Sequence, residues 1–231
     1  MGSLIKNNGH ISDTVNNMGP YRALRGRVNN LGYSSNERLM TYLELVGFGS
    51  TTLIQTFNLR YDLISVLVER WRPKTHTFCF PCGECTVTLM DVALQLGLSI
   101  DGSAVTGVST IAELAALCYS LLGVSPNYAE SKFTSLRFSW PKVYFEHLSI
   151  NATEHEVMCA GRAYIMHIIG VVLILDGNNN RVYLMSLPLL ADLQNVRLYS
   201  LGFAVLAILC HELCRTTKPD AIDKGGYLIL L

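Results

Sequence analysis

Apolar residues recur at intervals of three and four along most of the chain, which is the period of an amphipathic helix. The clearest example lies before Pro73, where one helical face is apolar and carries Leu63, Ile64, Leu67, Val68 and Trp71. The opposite face is polar and carries Asp62, Ser65, Glu69 and Arg72. Because proline disfavours helical geometry in the residue before it, we expect this helix to end at Pro73.

Helix start signals are the next feature of the pattern. A threonine is followed three positions later by an acidic residue, as in a capping box, in Thr88 with Asp91, Thr110 with Glu113 and Thr153 with Glu156. These signals predict helices that end at Gly97, at Leu122 and at about Leu175. The first has a buried stripe of Leu89, Val92, Ala93 and Leu96, and the last should be central because it is apolar all round after Ala163. A further helix is predicted from Ser34 or Ser35 to about Val46, and Gly47 to Gly49 end it. Three more helices are predicted: one around Trp140–His147, a brief one that starts at Pro188, and a long one from about Val196 to Arg215.

Short strands are the third feature. Thr75–Pro81 and Glu84–Val87 flank Cys82-Gly83 and predict a β-hairpin, because they are rich in Thr, Phe and Val. Arg181–Leu184 predicts another short strand, and 123–139 a polar connection. Strands do not alternate regularly with helices, so a parallel sheet is not indicated. We predict an α-dominated α+β fold, a single multi-helix domain with short β-hairpins, whose core includes Trp71, Phe78, Leu89, Val92 and Leu96.

Composition narrows the class of protein. Hydrophobic residues make up 50% of the chain and charged residues 16%, which excludes an intrinsically disordered chain. The formal net charge is zero, whereas a protein that binds mainly through phosphate contacts should carry a basic excess. The longest apolar stretches, Ala163–Leu175 and Leu201–Cys210, fall short of the roughly 18 residues of a membrane span, so we expect no membrane partner. Residues 1–30, rich in Asn and Gly, are predicted to form a flexible N-terminal arm.

Candidate metal chemistry centres on Cys79, Cys82, Cys85 and the upstream His76. Zinc prefers four thiolate or imidazole ligands, usually from paired knuckles, and no second close pair follows here. Residues 79 and 85 would also have to converge across the hairpin turn. We therefore interpret these cysteines as reduced packing residues and expect no bound metal.

Catalytic signatures are missing from the sequence. His211 and Glu212 begin a zinc-protease pattern, but Arg215 occupies the position of the second histidine ligand. Gly-x-Ser-x-Gly and dinucleotide-loop patterns are incomplete, and none of the six lysines lies in a segment typical of a cofactor lysine. We predict no catalytic residue and no cofactor.

Two runs of motifs are distinctive. The first contains Glu69-Arg70-Trp71-Arg72-Pro73, Thr75-His76-Thr77-Phe78, Pro81-Cys82-Gly83-Glu84, Thr88-Leu89, Asp91-Val92-Ala93, Leu96-Gly97-Leu98, Ile100-Asp101-Gly102 and Val105-Thr106-Gly107. The second contains Gly161-Arg162-Ala163-Tyr164, Asn180-Arg181-Val182-Tyr183-Leu184, Glu212-Leu213-Cys214-Arg215 and Gly225-Gly226. Over roughly residues 39–231 the chain resembles the plant mobile domain, also described as aminotransferase-like, which occurs in plant transposable elements and in host proteins. Lys74, Cys79 and Cys85 depart from the family pattern, in which an acidic residue, a histidine and a methionine are expected.

The resemblance carries expectations about organisation and function. It implies that 31–231 form the domain, truncated at its C-terminus. It implies a non-enzymatic protein-interaction module of a nuclear plant protein, with a role in meristem maintenance, genome stability and transposable-element silencing. Protein partners would include a phosphatase-7-like protein, and the apolar Tyr227–Leu231 favours self-association. The alternatives are a nucleic-acid-binding module of transposon origin, which would use Arg70, Arg72 and Lys74, and an uncharacterised transferase or hydrolase.

The motif residues are expected to serve structure before function. They are Glu69, Arg70, Trp71, Arg72, Pro73, His76, Phe78, Gly83, Glu84, Thr88, Asp91, Gly97, Asp101, Gly102, Gly107, Arg162 and Tyr164.

Overall fold

The structure is a computed structural model that describes residues 37–53, 61–106, 113–125, 135–137, 140, 146, 148–170 and 181–218. The α-helices in these ranges are α1 (Glu37–Leu45), α2 (Tyr61–Arg70), α3 (Leu89–Leu96), α4 (Leu114–Leu122), α5 (Glu154–Ile168) and α6 (Leu201–Thr216). Short 3₁₀ helices cover Ser50–Leu53, Leu184–Leu190 and Asn195–Leu198. The predicted α-dominated α+β class is confirmed. None of the helices in the described ranges is both long enough and apolar enough to span a bilayer.

The strands form two small antiparallel sheets. β1 (Trp71–Arg72), β2 (Thr77–Phe80) and β3 (Gly83–Cys85) lie in the order β1-β2-β3. The predicted hairpin is therefore confirmed, with β1 added to it. β4 (Ser135–Arg137) pairs with β5 (Arg181–Tyr183). The sequence pattern predicted β5 but assigned the β4 segment to a polar connection, because three residues are too few to show a period.

Two predictions about α2 were wrong. The helix ends at Arg70, because Trp71 and Arg72 leave it to pair with β2. Leu63 was predicted to face the core but is 51% exposed, whereas Ser65 was assigned to the polar face and is 2% exposed. The apolar stripe of this helix is wide, so the packing partners decide which part of it is buried. The structure buries the side that carries Ile64 and Val68.

Other helix ends also differ from the prediction. Thr110 and Glu113 predicted a capping box at the start of α4. The helix begins at Leu114, and its N-cap residue Glu113 makes no side-chain capping hydrogen bond. Thr110 lies outside the described residues. The long final helix begins at Leu201 rather than near Val196, because Tyr199 is extended. Pro188 lies inside its 3₁₀ helix rather than at the start.

The core is built around α5. Its residues from Cys159 to Ile168 are all buried, as expected for a helix that is apolar on every side. α1 and α4 pack on α5, while α3 packs on α6. The predicted core residues Trp71, Phe78, Val92 and Leu96 belong to this cluster. Leu89 does not belong to it and is only half-buried. The predicted extension of α5 to Leu175, the 1–30 arm and the segment 227–231 lie outside the described residues.

Candidate functional site

Trp71 is the centre of the motif region. Its side chain is buried and packs edge to face with Phe78, with ring centroids 4.8 Å apart. His76 stacks on it, with centroids 6.0 Å apart and an interplanar angle of 11°. The indole Nε1 donates a hydrogen bond to Cys214 Sγ at 3.3 Å, so the sheet is joined to α6. The sequence predicted the burial of Trp71 but not this partner.

The turn between β1 and β2 holds His76 in an unusual conformation. Its φ is +53°, in the left-handed region that residues with a side chain rarely adopt. The His76 N–H donates to the Arg72 carbonyl at 2.8 Å, and Thr86 Oγ1 donates to the His76 carbonyl at 2.6 Å. These contacts hold the turn closed and keep the imidazole against Trp71.

The register of the sheet gives it two faces. Trp71, Phe78 and Cys85 are cross-strand neighbours on one face, on which Trp71 and Phe78 meet the core and Cys85 is exposed. Arg72 opposite Thr77, and Cys79 opposite Glu84, lie on the other face because side chains alternate along a strand. We call these four residues the polar face. On it, Thr77 Oγ1 donates to Glu84 Oε2 at 3.0 Å and lies 2.7 Å from Thr75 Oγ1.

This register separates the four candidate metal ligands. Cys79 lies on the polar face and Cys85 on the core-side face. His76 and Cys82 lie at opposite ends of β2, whose four residues span roughly 13 Å. Within the described ranges, no group of three or more His, Cys, Asp or Glu side chains could hold a metal ion. The absence of bound metal stays a prediction, but this fold does not bring the candidates together.

The predicted capping box of α3 is present. Thr88 N–H and Oγ1–H both donate to Asp91 Oδ2 at 2.7 Å, and the Asp91 N–H donates to Thr88 Oγ1 at 3.3 Å. These hydrogen bonds to the carboxylate, first from the hydroxyl and then from the backbone, lower the pKa of Asp91. The helix ends at Gly97, whose φ is +66° and which has no room for a Cβ beside Ser50. Thr88, Asp91 and Gly97 therefore shape this helix.

A matching capping box opens α5. Thr153 and Glu156 make the same set of hydrogen bonds, and these lower the pKa of Glu156. One helical turn along, Cys159 Sγ lies 3.6 Å from His155 Nε2. Burial raises the pKa of the Cys159 thiol, which disfavours its thiolate form.

Arg162 is a buried motif residue with a structural role. Arg162 is 6% exposed, and its guanidinium donates to three carbonyl oxygens. Nε donates to Leu190 at 2.9 Å, Nη1 to Leu121 at 3.4 Å and Nη2 to Ala191 at 3.2 Å. The residue thus ties α5 to the end of α4 and to the segment after the Leu184–Leu190 helix. Tyr164, two positions further along, is also buried.

The motif residues Asp101 and Gly102 lie in a bend that contacts the segment just before α6. Gly102 has a φ of +110°, and a Cβ there would overlap the Leu198 carbonyl group. The next residue, Ser103, donates its N–H to that same carbonyl at 2.7 Å. Asp101 is exposed, and Gly107 lies outside the described residues.

The charged motif residues Glu69 and Arg70 at the end of α2, Arg72 on β1 and Glu84 on β3 differ in their burial and in their hydrogen-bond partners. Burial raises the pKa of Glu69, and Arg70 opposes this effect. The Nη1 of Arg72 is buried and has no hydrogen-bond partner among the described residues. Glu84 accepts from Thr77, as described above.

Sequence reasoning missed an apolar surface on α3. Met90 is 58% exposed and Leu94 is 77% exposed. They are four positions apart and therefore neighbours on the helix, opposite the buried Val92 and Leu96. The signal is present in the sequence, because α3 is apolar on both faces, but periodicity alone does not show which face is left exposed. We call Met90 and Leu94 the α3 ridge.

Comparison with known proteins agrees with this motif content. The family model described as "Plant mobile domain" matches residues 47–231. The chain is 40% identical over 81% of its length to an Arabidopsis thaliana serine/threonine-protein phosphatase 7 long form homolog, of which it covers 14%. It is 38% identical over 82% to Protein MAIN-LIKE 2, and 36% identical over 82% to Protein MAINTENANCE OF MERISTEMS, from the same plant, of which it covers 28% and 40%.

The chain therefore spans less than half of each of these relatives. No solved structure matches it significantly. The extent of the family match and the level of identity agree with the motifs that surround Trp71 and Arg162. The chain belongs to the plant mobile domain family.

Proposed function

We propose that this chain is a non-enzymatic protein-interaction module of a nuclear plant protein. Its proposed role is in meristem maintenance, genome stability and transposable-element silencing. The name of one relative, Protein MAINTENANCE OF MERISTEMS, supports the developmental part of this proposal. The nuclear location and the silencing role rest on the family resemblance.

The α3 ridge is the observation that carries the interaction role. Met90 and Leu94 are exposed apolar side chains four positions apart on one helix, which is the spacing of the anchors that a helix uses when it binds in the groove of a partner protein. Methionine suits such a surface because its side chain adapts its shape to a partner. α3 has a capping box at its start and a glycine cap at its end, so hydrogen bonds stabilise both ends of the helix that carries the ridge.

The polar groups of the described residues support a role without catalysis. Asp91 and Glu156 accept hydrogen bonds at helix starts, and Arg162 donates to carbonyl groups. Burial raises the pKa of Cys118 to about 11, so this thiol is not a nucleophile at neutral pH. These side chains are committed to the fold rather than to a substrate.

Basic side chains favour a protein partner over a nucleic acid. Arg38 donates to the carbonyls of Ile150 and Ala152, and Arg197 to that of Glu44. Arg215 pairs with Glu212. These three arginines already have partners within the chain, and the formal net charge of zero further disfavours the numerous phosphate contacts that strong nucleic-acid binding requires.

A binding experiment with a purified Arabidopsis phosphatase-7-like protein tests the proposal. We expect binding by the full chain and a loss of at least tenfold in affinity when Met90→Gln and Leu94→Gln are combined, since both anchors are then polar. Tyr119→Gln is the matched control, because Tyr119 is exposed but lies on α4, and it should bind normally.

Three results would contradict the proposal. The first is equal affinity of the ridge variant and the intact chain for the partner. The second is the absence of a fluorescent fusion of this chain from plant nuclei. The third is binding of a DNA duplex that weakens steeply with salt, without binding of the protein partner. Size measurement by light scattering separates binding of the partner from self-association.

A further inference from the structure

Arg72 stands apart from the other arginines whose side chains hydrogen-bond in the structure. Arg38, Arg162 and Arg197 donate to carbonyl oxygens. Among the described residues, an ion pair joins Arg215 to Glu212. Arg72 forms no such pair with Glu84. Arg72 Nη1 is removed from water and has no acceptor among the described residues.

Such an arrangement is unfavourable in the isolated chain. A guanidinium nitrogen that is buried without an acceptor loses its hydration and gains no protein hydrogen bond. Native structures contain few such groups, and each one needs an explanation. An acceptor supplied by another molecule is one explanation, because Arg72 lies on the sheet face opposite to Trp71 and Phe78, and the residue as a whole is only partly buried.

The surroundings of Arg72 define the chemistry of the acceptor. Arg72 lies opposite Thr77 on the polar face, and Lys74 in the adjacent turn is exposed. A planar guanidinium pairs best with a planar carboxylate, through two parallel hydrogen bonds. Cations are too few here for a nucleic-acid backbone, and the carboxylate of Glu84 on the same face further disfavours a polyanion.

We propose that Arg72 is the recognition point for a carboxylate on an acidic segment of a protein partner, which lies across the polar face. This inference rests on the proposed interaction role and names the chemistry of the partner. The Arg72 side chain has several rotatable bonds, so its guanidinium can turn toward a carboxylate placed on that face. Glu84 lies on the same face on β3, two strands away from Arg72, and its carboxylate repels further carboxylates of the partner segment.

A fluorescein-labelled hexaglutamate peptide is the probe, measured by anisotropy with the full chain at low ionic strength. We expect saturable binding that Arg72→Gln weakens about tenfold, as for loss of a charged hydrogen-bonded pair. Arg72→Lys should recover only part of the binding, because a lysine lacks the fork. Glu84→Gln should strengthen binding about twofold by removing the repulsion.

Arg215→Gln is the matched control, because it removes the same charge from α6. It should change the affinity less than twofold. If Arg72→Gln binds like the intact chain, or if Arg215→Gln weakens binding equally, the site is not at Arg72. Because the probe is a peptide, this result is independent of whether the phosphatase-7-like protein binds the α3 ridge.

Thermal unfolding without the probe excludes a purely structural role. Arg72→Met removes a guanidinium that has no acceptor, so the unfolding temperature should stay the same or rise. A fall of several degrees would show that Arg72 stabilises the fold and would overturn the proposal. Binding of a DNA duplex that depends on Arg72, without binding of hexaglutamate, would assign the residue to nucleic acid instead.

Discussion

The indole N–H of Trp71 donates a hydrogen bond to the thiol of Cys214 at 3.3 Å, across 143 positions of the sequence. This contact joins β1 to α6, and therefore joins the motif region to the last described helix. The buried aromatic ring packs edge to face with Phe78 and stacks with His76. The Cys214 sulfur is a weak hydrogen-bond acceptor for the indole N–H.

Replacing Cys214 with alanine should therefore destabilise the protein. We expect the free energy of unfolding to fall by about 1–3 kcal/mol, because a buried donor loses an acceptor and a small cavity opens. Urea unfolding measures this change. Cys82→Ala is the control, because Cys82 is exposed and should cost almost nothing. Equal stability of the two variants would show that the contact is not significant.

Gly102→Ala should be more damaging than Gly47→Ala. Both glycines have positive φ, +110° and +84°, so each substitution should cost about 1–2 kcal/mol in backbone strain. At Gly47 an added Cβ meets nothing within 4 Å, whereas at Gly102 it would overlap the Leu198 carbonyl group. We therefore expect a further loss of about 1–3 kcal/mol at Gly102, visible in denaturant unfolding. Equal losses of stability in the two variants would show that a Cβ at position 102 does not overlap the Leu198 carbonyl group.

The cysteines should react with a thiol reagent in distinct phases. Cys82 and Cys85 are exposed, so they should be modified first in the native protein. Cys118 and Cys159 are buried, and burial raises the pKa of both thiols, so they should react only when the protein unfolds. Mass spectrometry of the labelled peptides identifies the order. Rapid labelling of Cys118 in the native state would contradict the packing of α4 on α5.

Purified protein should contain neither stoichiometric zinc nor pyridoxal phosphate. The physical reason for zinc is the register of β2 and β3, which directs Cys79 and Cys85 to opposite faces. Metal analysis and the absorbance spectrum measure both groups. Zinc that is present in the intact chain and lost when Cys79, Cys82 and Cys85 are changed to serine would reinstate the metal site.

The free energy of unfolding should decrease in acid, because the capping carboxylates of Asp91 and Glu156 become protonated. Hydrogen bonds from Thr88 and Thr153 hold the pKa values of Asp91 and Glu156 below those of the unfolded chain. Their contribution is therefore complete above the unfolded values, roughly pH 4, and is lost as the pH falls through the lower folded values. In a double variant with Asp91→Asn and Glu156→Gln, the stability difference from the intact chain should shrink below about pH 4. A difference that grows in acid would reverse the sign of both pKa shifts.

Much of the local structure followed from short stretches of sequence. Thr88 and Asp91 meet within one helical turn, so their spacing alone specifies the cap that the structure contains. Gly97 ends α3 because a glycine adopts the left-handed conformation with little strain. The hairpin around Cys82-Gly83 and the burial of α5 were predictable for the same reason, since period and turn chemistry are local properties.

The candidate site depended on contacts that no local pattern encodes. The side of α2 that is buried, the break before Leu201 and the Trp71–Cys214 hydrogen bond depend on segments that are far apart in the sequence. The sequence shows that Arg72 is charged and lies near a turn. Only the pairing of β1 with β2 places it on the polar face, and only packing leaves its Nη1 without an acceptor. The reason is that periodicity specifies which residues share a face, whereas the neighbouring elements determine what that face meets.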